Sequence, residues 1–108
     1  MTCSARDTAN PYRGEIMISV GGERLVIRPS FAALVAAEAE LGSLFALVER
    51  AAEQSLELTE IVALFDHCSV GRALGIDRAR IGEAVVEQGL AGVTPMLRML
   101  FGQILQGR

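Results

Sequence analysis

The chain has 108 residues, 51% of them apolar and 21% charged, with a formal net charge of −3. That length holds one hydrophobic core rather than two, and the composition excludes a disordered or low-complexity protein. All ten basic residues are arginine, the acidic excess falls in residues 31–60, and no basic stripe emerges. The electrostatic footprint of a phosphate-binding surface is therefore missing.

Residues 1–9 are small, polar and aperiodic, and read as a disordered arm before a single domain at 10–108. The opening MTCSARDTANPYRGE has no apolar core of a signal peptide, and no run approaches bilayer-spanning length, so a cytoplasmic protein is expected. Cys3 in the arm and Cys68 in a predicted helix are not expected to form a disulfide.

A hairpin is predicted over 15–28, because Gly21-Gly22 is a two-residue turn that reaches positive φ without steric strain. Folding about that turn pairs Glu15 with Arg28, Ile16 with Ile27, Met17 with Val26, Ile18 with Leu25, Ser19 with Arg24 and Val20 with Glu23. Ile16, Ile18, Val20, Leu25 and Ile27 then share one face, and a slip by one residue would scramble it. A lone hairpin is marginal in water, so this face must rest on the helices that follow.

Five helices are predicted, at about 30–41, 43–53, 59–70, 77–88 and 94–106. The first has Ser30 as N-cap, an apolar stripe of Phe31, Leu34, Val35 and Leu41, and Gly42 as its stop. Ser43 caps the second, with Leu44, Leu47, Val48 and Ala51 inward and Glu49, Arg50 and Glu53 in water. Thr59 is the expected cap of the third, whose stripe is Ile61, Leu64, Phe65 and Cys68. Asp77 caps the fourth, with Ile76 packing on Ile81 as a hydrophobic staple, Ala84 and Val85 continuing inward, and Gly89 closing it. The last is expected to start at Thr94 with Pro95 in its first turn, where the missing N–H does no harm. The fold class is α+β: an N-terminal β-hairpin packed against a bundle of four to five short α-helices.

No catalytic constellation survives inspection. Asp66, His67 and Cys68 are consecutive on a helix and diverge, so they hold neither a metal nor a nucleophile with its base. Glu38 and Glu40 likewise diverge and are expected to be solvated, and neither glycine cluster ends in the Lys-Ser/Thr of a phosphate loop. An enzyme, a cofactor and a metal are not expected. Leu74 to Gln88 has the rhythm of a recognition helix after a glycine turn, but Arg72, Arg78 and Arg80 are balanced by Asp77, Glu83 and Glu87. The last helix is the oddest: its apolar residues spread over roughly 240° of circumference at about 100° per residue. Met96, Leu97, Leu100 and Ile104 are expected inside, leaving Met99 and Leu105 at the edges as candidate partner-binding residues.

Asn10-Pro11-Tyr12-Arg13-Gly14-Glu15, the hairpin about Gly21-Gly22, Leu25-Val26-Ile27-Arg28-Pro29 and the helix ending Ala37-Glu38-Ala39-Glu40-Leu41-Gly42 resemble the small tail protein family of gene transfer agents and related prophages. That family is described both as tail tube protein and as tail assembly chaperone. The resemblance implies a role in morphogenesis of a phage-like particle and brings over no catalytic position. It implies tail proteins as partners, the tape-measure protein or the tail tube, with a second copy of the chain as a further candidate, and neither specific nucleic acid nor membrane. A tube subunit builds its ring from a substantial sheet, whereas this chain has one hairpin in a mainly helical domain, so the chaperone is the preferred reading. A structural component of the tail tube, retained in the particle, is the nearer alternative, and a helix-turn-helix DNA-binding regulator is the alternative of another class.

Overall fold

A computed structural model describes residues 16–71 and 75–106. The chain runs β1 (Ile16–Val20), β2 (Glu23–Ile27), α1 (Phe31–Leu41), α2 (Leu44–Ala52), α3 (Leu58–Cys68), β3 (Ser69–Val70), α4 (Arg78–Gln88) and α5 (Leu90–Gln106). This is the expected α+β arrangement, hairpin first and five helices after it. The expected arm at 1–9 and Glu15, the expected partner of Arg28, lie outside the described residues.

The hairpin has the register read from the turn: Ile16 faces Ile27, Met17 faces Val26, Ile18 faces Leu25, Ser19 faces Arg24 and Val20 faces Glu23. Gly21 and Gly22 both have positive φ, 55° and 84°, the signature of a type I′ turn whose twist matches that of the strands. Ile16, Ile18, Val20, Leu25 and Ile27 are all buried. They meet the helical layer through α4 and α5, which pack against β1.

A third strand was not expected. The helical pattern ends at Cys68, and Ser69 turns extended, with ψ 142° and its hydroxyl donating to the Asp66 carbonyl at 2.8 Å. Ser69 and Val70 then pair antiparallel with Ile27 and Val26, and the Arg28 N–H donates to the Cys68 carbonyl at 2.8 Å. The order is β1-β2-β3, so β2 is central and a pairing too distant in sequence to be read locally closes one side of the hairpin.

Three of the expected caps are in place. Ser30 Oγ accepts from Ala33 N, Ser43 Oγ from Ala46 N and Asp77 Oδ1 from Arg80 N. The third helix begins earlier than expected. Its cap is Glu57 rather than Thr59, and the Glu57 N–H donates to Glu60 Oε1 at 2.9 Å, so an acidic side chain three residues on replaces the hydroxyl cap. Ile76 and Ile81, the proposed staple, are both buried in the common core.

Two other expectations are corrected. In α1 the inward residue is Ala37, fully buried, with Ala33, Leu34 and Leu41 half-buried beside it, whereas Phe31 is 84% and Val35 48% exposed. The helix is apolar nearly all round, so periodicity could not choose its inner face. The last helix does not start at Thr94: it begins at Leu90 and takes Pro95 into its interior. Gly89, with φ 82°, ends α4 and its carbonyl accepts from Gly92 and Val93 N–H, so one residue closes one helix and opens the next. Pro95 then leaves the Ala91 carbonyl without its i+4 donor, while the Thr94 hydroxyl donates back to the Leu90 carbonyl at 2.7 Å.

Candidate partner-binding groove

Met99 and Leu105 are each 51% exposed, while Val93, Leu97, Leu100 and Phe101 are buried and Met96 and Ile104 half-buried. The inner and outer residues of the last helix are thus where the sequence placed them. The structure does not bring Met99 and Leu105 together. Six residues apart, they lie about 120° from one another around the helix and about 9 Å along it, on opposite edges of the buried stripe. They do not make one patch.

A concave surface lies elsewhere, where α1 packs on α3 and α3 on α4. It is a groove of about 790 Å³ whose apolar lining is Leu41 from the end of α1, Leu58 and Val62 from α3, and Ala79, Gly82 and Val86 from α4. The spacings explain it. Leu58 and Val62 are one turn apart, and Ala79, Gly82 and Val86 follow one face of α4, so two parallel stripes bound the trough. Gly82 keeps it open: a Cβ there would stand 3.7 Å from both Val62 methyls, in ordinary contact, and a larger side chain would fill the space. Val86, 63% exposed, and Leu58, 41% exposed, leave apolar surface facing water on either side.

Two parts of the groove lining differ in charge. At one, Glu40 receives Arg78 Nη1 at 2.7 Å and Nη2 at 2.9 Å, and His67 Nε2 lies 2.7 Å from Glu40 Oε1. Arg78 also donates to Asp66 Oδ2, from Nε at 3.1 Å and Nη2 at 2.9 Å. The Arg78 bonds, and secondarily His67, hold the Glu40 carboxyl at a pKa of about 2, and Glu40 with Asp66 raises that of Arg78. Glu40 is therefore part of a structural ion cluster and not the freely solvated group expected. Glu38 is engaged too, accepting from the Leu44 N–H at the start of α2 at 3.2 Å. Along the α4 wall, Glu83 and Glu87 are exposed, the nearest cation to Glu83 being Arg80 at 3.9 Å, so the rim there is acidic.

Arg50 and Glu60 clamp α2 to α3 through two bonds of 2.6 and 2.5 Å, which lower the Glu60 pKa and raise that of Arg50. Arg50 thus bridges two helices where it was expected to face water alone. Cys68 is buried, and burial pushes its thiol up to about 12, so it packs as an inert small residue. Among the described residues no group of three or more His, Cys, Asp or Glu side chains could hold a metal ion. Of the arginines weighed for a recognition helix, Arg72 lies outside the described residues, Arg78 is held by two carboxylates, and Arg80 lies near Glu83 with its guanidinium over the hairpin turn. On the described part of that helix, little uncompensated positive charge is left for a phosphate backbone.

The groove was missed from the sequence because its walls come from three helices distant in the chain. Two signals pointed to it. Gly82 stands mid-helix, where glycine is unfavourable by up to about 1 kcal/mol relative to alanine, and Val86 is apolar one step out of phase with the buried Ala84-Val85 pair.

No single described helix is long and apolar enough to cross a membrane. Neither the curated proteins nor the solved structures contain a match to this chain. A family model described as "Phage tail tube protein, GTA-gp10" matches residues 13–107, the whole described fold included. With that match over most of its length, the chain, a mainly helical domain with an N-terminal hairpin, belongs to the GTA-gp10 family of phage tail proteins.

Proposed function

We propose that this protein is a tail assembly chaperone that shields an apolar helix of the tape-measure protein until the tail tube forms around it. The observation that carries the reading is the groove between Leu58-Val62 and Ala79-Gly82-Val86, open to solvent, apolar along its floor and wide enough to receive side chains of a partner helix. Its acidic wall at Glu83 and Glu87 selects a helix whose apolar stripe is flanked by lysine or arginine. Met99 and Leu105 are proposed as further contacts for the same client outside the groove. On this reading the chaperone meets newly made tail proteins, and so acts in the bacterial cytoplasm.

The family's description as a tail tube protein favours a second reading, in which the chain is a structural component of the tube. The described sheet has three strands, one of only two residues, which is little from which to build a ring.

Co-expression with the tape-measure protein from the same gene cluster tests the first reading. The wild-type chain should co-purify with it, and Gly82→Phe, which fills the trough, should abolish capture while leaving the circular dichroism spectrum unchanged. Mass spectrometry of purified particles separates the two readings. Absence of the chain supports the chaperone, whereas recovery at the copy number of a tube subunit overturns it.

A further inference from the structure

The hairpin carries a second binding feature, apart from the helix groove: the outer edge of β1. Its unpaired groups follow from the turn. A two-residue type I′ turn makes Val20 and Glu23 a pair that exchanges both backbone hydrogen bonds, and such pairs alternate along an antiparallel ladder. Ile18 with Leu25 and Ile16 with Ile27 are bonded in the same way, whereas Met17 and Ser19 turn their N–H and C=O groups away from β2. The far side of β2 has the matching phase, since Arg28, in step with Arg24 and Val26, donates to the Cys68 carbonyl. The order β1-β2-β3 leaves β1 at the margin, and among the described residues nothing pairs with the outward groups of Met17 and Ser19.

Open edges are normally guarded by a proline, a charge, a bulge or shortness. The opposite edge, β3, is only two residues long, but β1 runs five residues from Ile16 to Val20 with no charge, no proline and an unbroken register. Beside it lies a cavity of about 500 Å³ whose lining includes Met17, Ser19 and Arg24 from the hairpin and Ala84, Glu87 and Gln88 from α4. Only an extended strand, about 4.8 Å away, can meet the donors and acceptors of such an edge, and the small side chain of Ala84 leaves it room on the helix side.

The charges choose the strand. α4 begins over the turn, where the Arg80 guanidinium stands at Gly21, and exposed Arg24 lies at the same end, directly across from Ser19. Glu87 comes about 10 Å further along α4. The edge is thus basic near the turn and acidic away from it. Ser19 is small, so Arg24 can lie across it to reach the residue on its far side, while half-buried Val26 and Met17 form an apolar row beside it. We propose that β1 binds an extended segment of a partner protein as an added antiparallel strand. That segment carries Asp or Glu opposite Ser19, a small residue opposite Ile18 that faces Ala84, and an apolar residue opposite Met17.

The test is titration of the full chain with the blocked peptide Thr-Thr-Asp-Ala-Val-Thr-Thr, followed by amide NMR and hydrogen exchange. In the free chain the Met17 and Ser19 amides should exchange at least about tenfold faster than those of Ile18 and Val20, and saturating peptide should remove the difference. Replacing the peptide's aspartate with lysine should weaken binding at least about tenfold, and Arg24→Glu should reverse that preference. Methylating the aspartate nitrogen, which points at β1, should abolish binding, whereas methylating the alanine nitrogen, which points away, should not. No binding at millimolar peptide, or equal binding of the two methylated peptides, overturns the proposal. So does slow exchange at Met17 and Ser19 in the free chain: protection that grows with concentration assigns the edge to a second copy, and protection that does not assigns it to the chain's own residues.

Discussion

Arg78 holds both carboxylate oxygens of Glu40, 38 positions earlier in the chain, and through them ties the first turn of α4 to the last turn of α1. The bond lies in the lining of the groove and predicts how the fold responds to acid. Glu40 is lowered from 4.5 to about 2, first by Arg78 and then by His67. A carboxyl depressed in the folded state adds stability above its unfolded value and loses it as pH falls through the folded value. The melting temperature should therefore drop between about pH 4.5 and pH 2, and Glu40→Gln should flatten that drop, the two proteins converging at the acid end. Glu60 shifts in the same direction through Arg50, so a residual slope remains in the variant.

The hairpin register gives a contrast between neighbours. Ile18 is 1% exposed opposite Leu25, so Ile18→Asp buries an unpaired charge and should cost more than about 4 kcal/mol, enough to unfold much of the protein. Met17→Asp, on the half-buried opposite face, should cost about 1 kcal/mol. Urea titrations of the two variants measure the difference, and equal losses would contradict the register.

Pro95 makes the opposite kind of prediction. It sits inside α5 and removes a donor to the Ala91 carbonyl, a defect of about 3 kcal/mol in a regular helix, partly offset by its restriction of the unfolded chain. Pro95→Ala should raise stability by roughly 1–3 kcal/mol in chemical denaturation. A loss would mean that Pro95 itself helps to seat Val93 and Leu97 in the core.

On the outer half of the same helix, Met99→Glu and Leu105→Glu should change stability by less than about 0.5 kcal/mol, while Leu100→Ala, at 0% exposure, should lower it by about 2–5 kcal/mol. The same denaturation curves decide the matter, and large losses in both glutamate variants would mark the whole of α5 as core.

Gly82→Ala should stabilise α4 by about 0.5–1 kcal/mol, because the added methyl meets Val62 at ordinary contact distance. If it destabilises instead, the trough at that point is narrower than its backbone suggests.

What was legible in the chain was local. Gly21-Gly22 fixes the hairpin register because a two-residue turn leaves no choice of pairing, and Ser30, Ser43 and Asp77 mark helix starts because their oxygens satisfy amides three residues away. The misreadings have physical causes. Alanine-rich α1 offers no polar face, so its inner side is set by contact with α3 and not by pattern. The Ser69–Val70 strand exists only because β2 is there to pair with it. Pro95 usually opens a helix, but Gly89 had already done so. The groove belongs to none of its helices alone and becomes visible only once Leu58, Gly82 and Val86 are placed side by side.

The elbow at Gly42-Ser43 bears on more than chain direction. Phe31 to Ala52 is the most continuously apolar part of the described chain, and as one straight helix of about 22 residues it would reach about 33 Å, the thickness of a bilayer's hydrocarbon layer. Gly42, with φ 92°, breaks it into helices of 11 and 9 residues bent by 75°. Each arm is then about half that thickness, and their apolar sides point in different directions. A single backbone position of positive φ thus divides a stretch of bilayer-spanning length into two short helices set at an angle.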